Sequence, residues 1–214
     1  MKAIIHANIY KKDEDALLID DGIIQEIDSS ENILKKITNE DELIDLKGAF
    51  LLPGFIDSHI HMLSLGYTLS IVSLKYCQSL DDIKKAIVEH LSKNKEELFV
   101  ARGYNEVSYP YHIGPTKVFL DDISKDIPIV LIRACGHILV ANTKALELAG
   151  ITESVAYENG RIDYETGIVE EKAMDIILSL RKEPTKMELK HYLSLAMKEL
   201  NKHGITSVCS DDFV

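Results

Sequence analysis

The spacing of apolar residues changes about a quarter of the way along the chain. Before that point, short runs rich in β-branched residues alternate with turn signals, as in residues 3–10 (AIIHANIY) and 16–28 (ALLIDDGIIQEID). The Asp21-Gly22 pair lies between two apolar runs and predicts a two-residue hairpin turn. We therefore predict that residues 1–52 form a small β-module, sandwich-like in type, as a first domain.

After residue 53, apolar runs that suit strands alternate with segments that carry helix signals. Strands are predicted at residues 55–61, 98–101, 127–134 and 205–209. Ser79 and Asn142 precede helical segments as capping residues, and Thr185 with Glu188 has the spacing of a capping box. The intervening stretch 152–168 is typical of a loop or hairpin, and a further helix is predicted over residues 170–181.

This alternation predicts the fold class. Strands that alternate with helices favour a parallel sheet with right-handed crossovers. We predict an α/β fold in which residues 53–214 form the N-terminal part of a TIM-type (β/α)8 barrel, with about four of its strands. Eight strands in such a barrel usually need about 250 residues, so we expect this chain to be the N-terminal part of a longer enzyme.

Composition and charge exclude several functional classes. The 214 residues include 24 Lys and Arg against 35 Asp and Glu, which gives a net charge of −11. Such an acidic chain lacks the basic face of a general nucleic-acid binder. No apolar run approaches the roughly 18–20 residues of a membrane span. The three cysteines are widely separated, so we expect no disulfide framework and a cytoplasmic location.

The segment most informative about chemistry is the predicted strand at residues 55–61. His59 and His61 are two residues apart, so both side chains project from one face of a strand, near its carboxyl end. Two adjacent imidazoles form half of a zinc-type site. Taken alone, the spacing also fits a pair of half-buried strand histidines, and the residues around the pair decide between these interpretations.

The context resembles the first barrel strand of the amidohydrolase superfamily. Residues 51–61 (LLPGFIDSHIH) are similar to its signature of apolar residues, Pro-Gly, Asp and His-x-His. Later segments resemble the amidohydrolase family 3 branch in the same order along the chain. These segments are residues 102–105 (RGYN), 136–137 (GH), 141–151 (ANTKALELAGI), 167–171 (GIVEE), 184–185 (PT) and 203–208 (HGITSV).

The resemblance implies a metal-dependent hydrolase. Members of this superfamily use one or two divalent metals, often zinc, to activate water for attack on an amide-like, non-peptide C–N bond. The histidines of their first strand correspond to His59 and His61. The implied partners are a small-molecule substrate and a divalent metal such as zinc, with no nucleic acid and no membrane.

Other residues have weaker indications. Glu170 follows the third predicted strand, where some relatives supply a metal-bridging glutamate; alternatively, it is an ordinary carboxylate in the first turn of a helix. Tyr104 and Asn105 follow the second predicted strand and could line a substrate site, or could belong to an ordinary strand-to-loop exit. His137 is either a pocket residue or a loop histidine.

The chain also departs from the family pattern. The family takes further metal histidines from its fifth and sixth strands and a catalytic aspartate from its eighth strand, and the sequence offers no counterparts. No residue is therefore assigned a catalytic role, and we expect negligible hydrolase activity from this polypeptide alone. The alternative hypothesis is an inactive remnant that binds metal or ligand weakly. Open sheet edges would also favour self-association.

Overall fold

The computed structural model describes residues 1–157 and 159–212, which fall into two compact units. The first unit contains Met1–Asp57 and Gly204–Val208. The second contains Ser58–His203 and the described residues from Cys209 onward. The predicted domain boundary at residue 52 stays a prediction.

The first unit is built mainly from β-strands. Its elements are β1 (Lys2–Ile5), β2 (Asn8–Ile9), β3 (Ala16–Asp20), β4 (Ile23–Asp28), α1 (Ser30–Leu34), β5 (Glu42–Asp45) and β6 (Phe50–Leu51). Four strands form a sheet in the order β4-β3-β1-β5, and β2 pairs with β6. The turn between β3 and β4 has positive φ at both Asp21 and Gly22, which confirms the hairpin predicted from this dipeptide.

The chain then continues through eight further strands. They are β7 (Phe55–Ile60), β8 (Val72–Ser73), β9 (Phe99–Tyr104), β10 (Ile129–Arg133), β11 (Ile138–Ala141), β12 (Val155–Tyr157), β13 (Gly160–Asp163) and β14 (Ile168–Glu171). After the last helix follows β15 (Ile205–Ser210). The helices are α2 (Met62–Ser70), α3 (Leu80–Lys93), α4 (Lys117–Asp121), α5 (Thr143–Leu148), α6 (Met174–Leu178) and α7 (Lys186–Lys202). Short 3₁₀ turns occupy Glu106–Ser108 and Pro110–His112.

Strand pairing corrects the prediction of one parallel sheet, and the barrel with about four strands stays a prediction. β7 pairs with β15 in a two-stranded sheet, whereas β9 and β10 belong to a seven-stranded sheet in the order β12-β13-β14-β11-β10-β9-β8. Only β8, β9 and β10 run parallel in that sheet. After β10 the chain reverses through a turn with Gly136 at φ 80° and returns as the antiparallel strand β11. The helix predicted after Asn142, α5, therefore follows the antiparallel strand β11 and not β10 directly.

β7 and β15 run in the same direction. The Phe55 N–H donates to the Gly204 carbonyl at 2.8 Å, and the Asp211 N–H donates to the Ile60 carbonyl at 2.9 Å. Partner numbers rise together from one end of the pair to the other, which is the signature of parallel strands. Both carboxyl ends therefore lie at the same edge of this small sheet.

The helix predicted over residues 170–181 also needs correction. Residues Ile168–Glu171 are strand β14, which pairs with β11 on one side and β13 on the other. The helix begins only at Met174. Glu170 therefore lies in a strand, because the main-chain groups of this segment find partners on both sides. Residues 152–168 were predicted as a loop or hairpin, and β12 and β13 form a hairpin there.

The capping predictions are confirmed. Ser79 accepts from the Asp82 N–H at the start of α3, and Asn142 accepts from the Ala145 N–H at the start of α5. Thr185 and Glu188 form a complete capping box before α7. Polar side chains thus satisfy main-chain donors at each of these helix starts.

Helix α2 is not predicted by the sequence patterns, and it begins directly after His61. It packs against α7 at Gly66, which is buried. A Cβ atom at this position would lie 2.0 Å from the Tyr192 carbonyl oxygen. Gly66 therefore permits an approach between the two helices that no other residue allows.

The core of the second unit lies on both faces of its seven-stranded sheet. Val100 and Val130 belong to one apolar cluster, whereas Ala101 and Leu131, the next residues in each strand, belong to the other. Burial on both faces explains the near-continuous apolar run of β10. Within the described residues, no helix combines the length and apolar character needed to cross a membrane.

Candidate metal centre

His59 and His61 come together at the carboxyl end of β7. His59 lies in the strand and His61 is the first residue after it, so the two-residue period places both rings on the same side. Their ring centroids are 5.4 Å apart, and the rings are nearly perpendicular at 85°. Both side chains are exposed and accessible to a metal ion and to water.

Asp211 joins the two histidines from the neighbouring strand. It directly follows β15, and its N–H donates to the carbonyl of Ile60, the residue between the histidines. One ligand atom from each of His59, His61 and Asp211 lies within 4.8 Å of the other two. Within residues 1–157 and 159–212, this is the group of metal-ligating side chains that the structure brings together.

The sequence patterns did not identify Asp211. A carboxylate at the end of one strand lies beside a histidine pair only if that strand pairs with the strand of the histidines. The patterns placed the strand at 205–209 fourth in a series, away from residues 55–61. The Ser-Asp-Asp sequence after an apolar strand is the signal that could have indicated the site.

Asp212 holds the start of helix α2 and so fixes the segment after His61. Its carboxylate accepts hydrogen bonds from the Leu63 N–H at 2.8 Å and from the Ser210 hydroxyl. The Met62 N–H donates to the Ser210 hydroxyl oxygen at 3.2 Å. Partial burial opposes ionisation of Asp212, but these hydrogen bonds outweigh it and hold the pKa of this carboxyl below its usual value.

His61 occupies the N-cap position of α2 without using its side chain as a cap. Ser210 and Asp212 satisfy the first N–H groups of the helix instead. A negative charge at this end also suits the helix dipole. The imidazole of His61 is therefore not engaged in capping.

Glu170 lies outside the cluster of His59, His61 and Asp211. Its carboxylate forms a two-pronged ion pair with Arg161 on the adjacent strand β13, at 2.6 Å and 3.1 Å. This pair raises the pKa of the Arg161 guanidinium. The role of Glu170 as a metal ligand stays a prediction.

The predicted substrate residues lie around the ends of β9 and β10. Tyr104 is buried in an apolar cluster, and burial raises the pKa of its hydroxyl. Asn105 is exposed, and its N–H donates to the Tyr109 hydroxyl at 3.3 Å. His137 is exposed and lies 3.2 Å from a carboxylate oxygen of Glu171. Their roles in substrate binding stay predictions.

The donor set of the cluster suits a divalent metal. Two imidazole nitrogens and one carboxylate oxygen are ligand types found together in zinc sites, which often have three protein ligands and an open position for water. Imidazole also suits copper, iron and nickel. The residues present therefore fit a divalent transition metal.

Comparisons with known proteins agree with this chemistry. The sequence profile described as "Amidohydrolase family" matches residues 42–214. YtcJ of Bacillus subtilis (strain 168), which is named as an amidohydrolase, is 31% identical over 226 residues, covering 99% of this chain and 43% of that protein. The N-substituted formamide deformylase of Arthrobacter pascens is 30% identical over 159 residues, covering 69% of this chain and 29% of that protein.

Solved structures give the same result. An uncharacterized metal-dependent hydrolase from Pyrococcus furiosus matches with a TM-score of 0.70 and 29% identity over 97% of this chain and 43% of that one. A second metal-dependent hydrolase, from Pyrococcus horikoshii OT3, matches with a TM-score of 0.68, 27% identity and 97% coverage of this chain, against 42% of its own. The chain thus spans less than half the length of these relatives. The match to the family profile over most of the sequence shows that the chain belongs to the amidohydrolase family.

Proposed function

We propose that this chain supplies the metal-binding strand of a hydrolase that acts on amide-like, non-peptide C–N bonds of small molecules. Its His59 and His61 would hold the divalent metal, for which zinc is the proposed identity. The observation that carries the proposal is the convergence of both imidazoles at the end of β7, with a carboxylate beside them. Membership of the amidohydrolase family supports a hydrolytic role for this arrangement of side chains.

Each residue group has a defined task in this proposal. A bound divalent metal would supply the Lewis acidity that makes water nucleophilic near neutral pH. The strand β7 presents both imidazoles on one side, and the cap formed by Ser210 and Asp212 fixes the backbone after His61. The exposure of the histidines leaves space for water and for a small substrate.

The proposal also names the class of bond that is cleaved in the substrate. The relative from Arthrobacter pascens is named as a deformylase of N-substituted formamides. A formamide contains the amide-like C–N bond that the superfamily resemblance implies. We therefore propose small N-acyl or N-formyl compounds as the substrate class.

A second candidate function is metal or ligand binding without hydrolysis. The exposure of His59, His61 and Asp211 favours it, because hydrolases usually shield their reacting groups from bulk water. In the described ranges, no fourth His, Cys, Asp or Glu joins the cluster to act as a general base. The expected negligible turnover of this polypeptide alone follows from the same observation.

The proposal also concerns how β7 and β15 are related in the fold. A parallel strand pair joined through helix α7 is what two neighbouring strands of a (β/α)8 barrel require. We propose that β7 and β15 are such neighbours, with the seven-stranded sheet inserted between them along the chain. Self-association through the open edges of this pair stays a prediction, which sedimentation velocity tests.

The experiment compares the full chain with two histidine variants. Metal-free protein is titrated with zinc by calorimetry, and the loaded protein is assayed on N-acyl amino acids and N-substituted formamides. His59→Ala should abolish zinc binding. The matched control His191→Ala, which removes an exposed imidazole on α7, should leave zinc binding unchanged.

The outcomes separate the candidates. Zinc binding that depends on His59, together with turnover that the same substitution abolishes, supports the hydrolase and refutes the expectation that this polypeptide alone has negligible turnover. Zinc binding without turnover favours the second candidate for this polypeptide. An unaltered wild-type affinity in His59→Ala contradicts both.

A further inference from the structure

We infer that Asp211 is the third protein ligand of the metal, supplied by the strand that pairs with the histidine strand. This inference rests on the proposed function, since it concerns the metal that His59 and His61 are proposed to hold. It assigns the carboxylate ligand to β15, whereas the sequence resemblance pointed to Glu170.

Distance supports Asp211. Two ligand atoms that are each about 2.0–2.1 Å from one tetrahedral zinc ion lie about 3.4 Å apart. The ligand atoms of His59, His61 and Asp211 already lie within 4.8 Å of one another. Coordination therefore requires each pair to close by about 1.4 Å at most, which small side-chain rotations achieve.

Main-chain hydrogen bonding fixes Asp211 beside the histidines. Its N–H donates to the Ile60 carbonyl at 2.9 Å, so its backbone lies next to the residue between the two ligands. On either side of it, Ser210 and Asp212 bind the first N–H groups of α2. The flanking residues thus hold the segment in place and leave the Asp211 carboxylate to the cluster.

Charge also distinguishes the two candidate carboxylates. Glu170 is neutralised by Arg161 through two hydrogen bonds, and metal binding would have to break that pair. In the part of the chain that the structure describes, no Lys or Arg lies within ion-pair distance of Asp211. Its negative charge is therefore available to offset part of the double charge of the metal.

The test measures metal binding by the full chain, independently of activity. Zinc affinity is determined for wild type, Asp211→Asn and Glu170→Gln, and bound Co²⁺ is examined by visible absorption, which reports coordination geometry. Removal of groups that merely support a ligand costs about 10–100-fold in affinity. We therefore expect Asp211→Asn to weaken zinc binding by about 100-fold or more and to change the Co²⁺ spectrum, and Glu170→Gln to do neither.

Two further variants separate coordination from folding. Asp211→His replaces the carboxylate by another zinc ligand and should recover most of the affinity, which a purely structural role would not permit. Asp81→Asn removes an exposed carboxylate on α3, outside the cluster, and should leave the Co²⁺ spectrum unchanged.

Failure of this inference is distinguishable from failure of the proposed function. If wild type binds zinc through His59 and Asp211→Asn binds it equally well, Asp211 is not a ligand and the proposed function survives. If wild type does not bind zinc, the proposed function is refuted, and the assignment of Asp211 as a ligand is refuted with it. If Asp211→His is as weak as Asp211→Asn while both remain folded by circular dichroism, coordination by residue 211 is refuted.

Discussion

Replacing Gly66 by alanine should destabilise the second unit, although glycine-to-alanine changes in helices usually stabilise. In an exposed helix interior alanine is better than glycine by about 1 kcal/mol. At this position the added Cβ would lie 2.0 Å from the oxygen and 2.4 Å from the carbon of the Tyr192 carbonyl. Both atoms belong to the backbone of α7, so they cannot move aside as a flexible side chain would.

The magnitude follows from the contact. Ordinary van der Waals separation needs about 3.5 Å, so α2 and α7 would have to move apart by about 1.5 Å. Overpacking of this kind costs about 1–3 kcal/mol, and the displaced contact between two helix backbones places this case at the upper end. After subtraction of the gain in helix propensity, we expect a net loss of about 2 kcal/mol in the free energy of unfolding.

Urea denaturation followed by circular dichroism measures this loss. Ser64→Ala, an exposed change two residues earlier in α2, is the matched control and should alter the free energy of unfolding by less than about 0.5 kcal/mol. Zinc affinity should also fall in Gly66→Ala, because the Leu65 N–H is hydrogen-bonded to the His61 carbonyl at 2.9 Å and α2 carries that segment. A Gly66→Ala protein as stable as wild type, or more stable, would refute the close packing.

The remaining predictions concern a buried amide, a helix cap and metal linkage. Asn142 is fully buried and makes four hydrogen bonds to main-chain groups. Asn142→Ala should therefore lower the free energy of unfolding by about 2–4 kcal/mol, measured by calorimetry or urea denaturation. The control Asn94→Ala, at an exposed position, should lower it far less. Asp212→Asn keeps an acceptor oxygen but removes the negative charge at the start of α2, and should lower stability at pH 7 by about 0.3–1 kcal/mol. The pKa of Asp212 is lower in the folded than in the unfolded chain, so its ionised carboxylate stabilises the fold above about pH 4, and this stabilisation is lost as the pH falls through the folded pKa. The difference in the free energy of unfolding between wild type and Asp212→Asn should therefore close below about pH 4. A difference that persists there would contradict the hydrogen bonds of Asp212 to the start of α2. Free zinc at 100 times its dissociation constant should stabilise the folded chain by about 2.7 kcal/mol, and a chelator should remove this increment from wild type but have no effect on His59→Ala.

Local features were predictable from the sequence because they depend on residues close together in the chain. Ser79 and Thr185 cap the helices that follow them, and the Asp21-Gly22 turn forms the expected hairpin. The pairing of His59 with His61 belongs to the same class, since the strand period alone places both rings on one side.

Long-range pairing was not predictable in this way. Nothing local indicates that β15 pairs with β7 across about 150 residues, and so the patterns missed Asp211. Residues 170–171 were predicted as the start of a helix, but they end strand β14, whose conformation is determined by the neighbouring strands β11 and β13. Tertiary partners override local preference in such short segments.

X-ray absorption spectroscopy of the zinc-loaded chain identifies the ligand atoms of the bound metal. We expect one zinc ion with two imidazole nitrogens and further oxygen ligands, and loss of the imidazole signal in a His59→Ala, His61→Ala double variant. Zinc bound through sulfur of Cys77, Cys135 or Cys209, or zinc whose imidazole signal survives the double substitution, would contradict metal binding by His59 and His61.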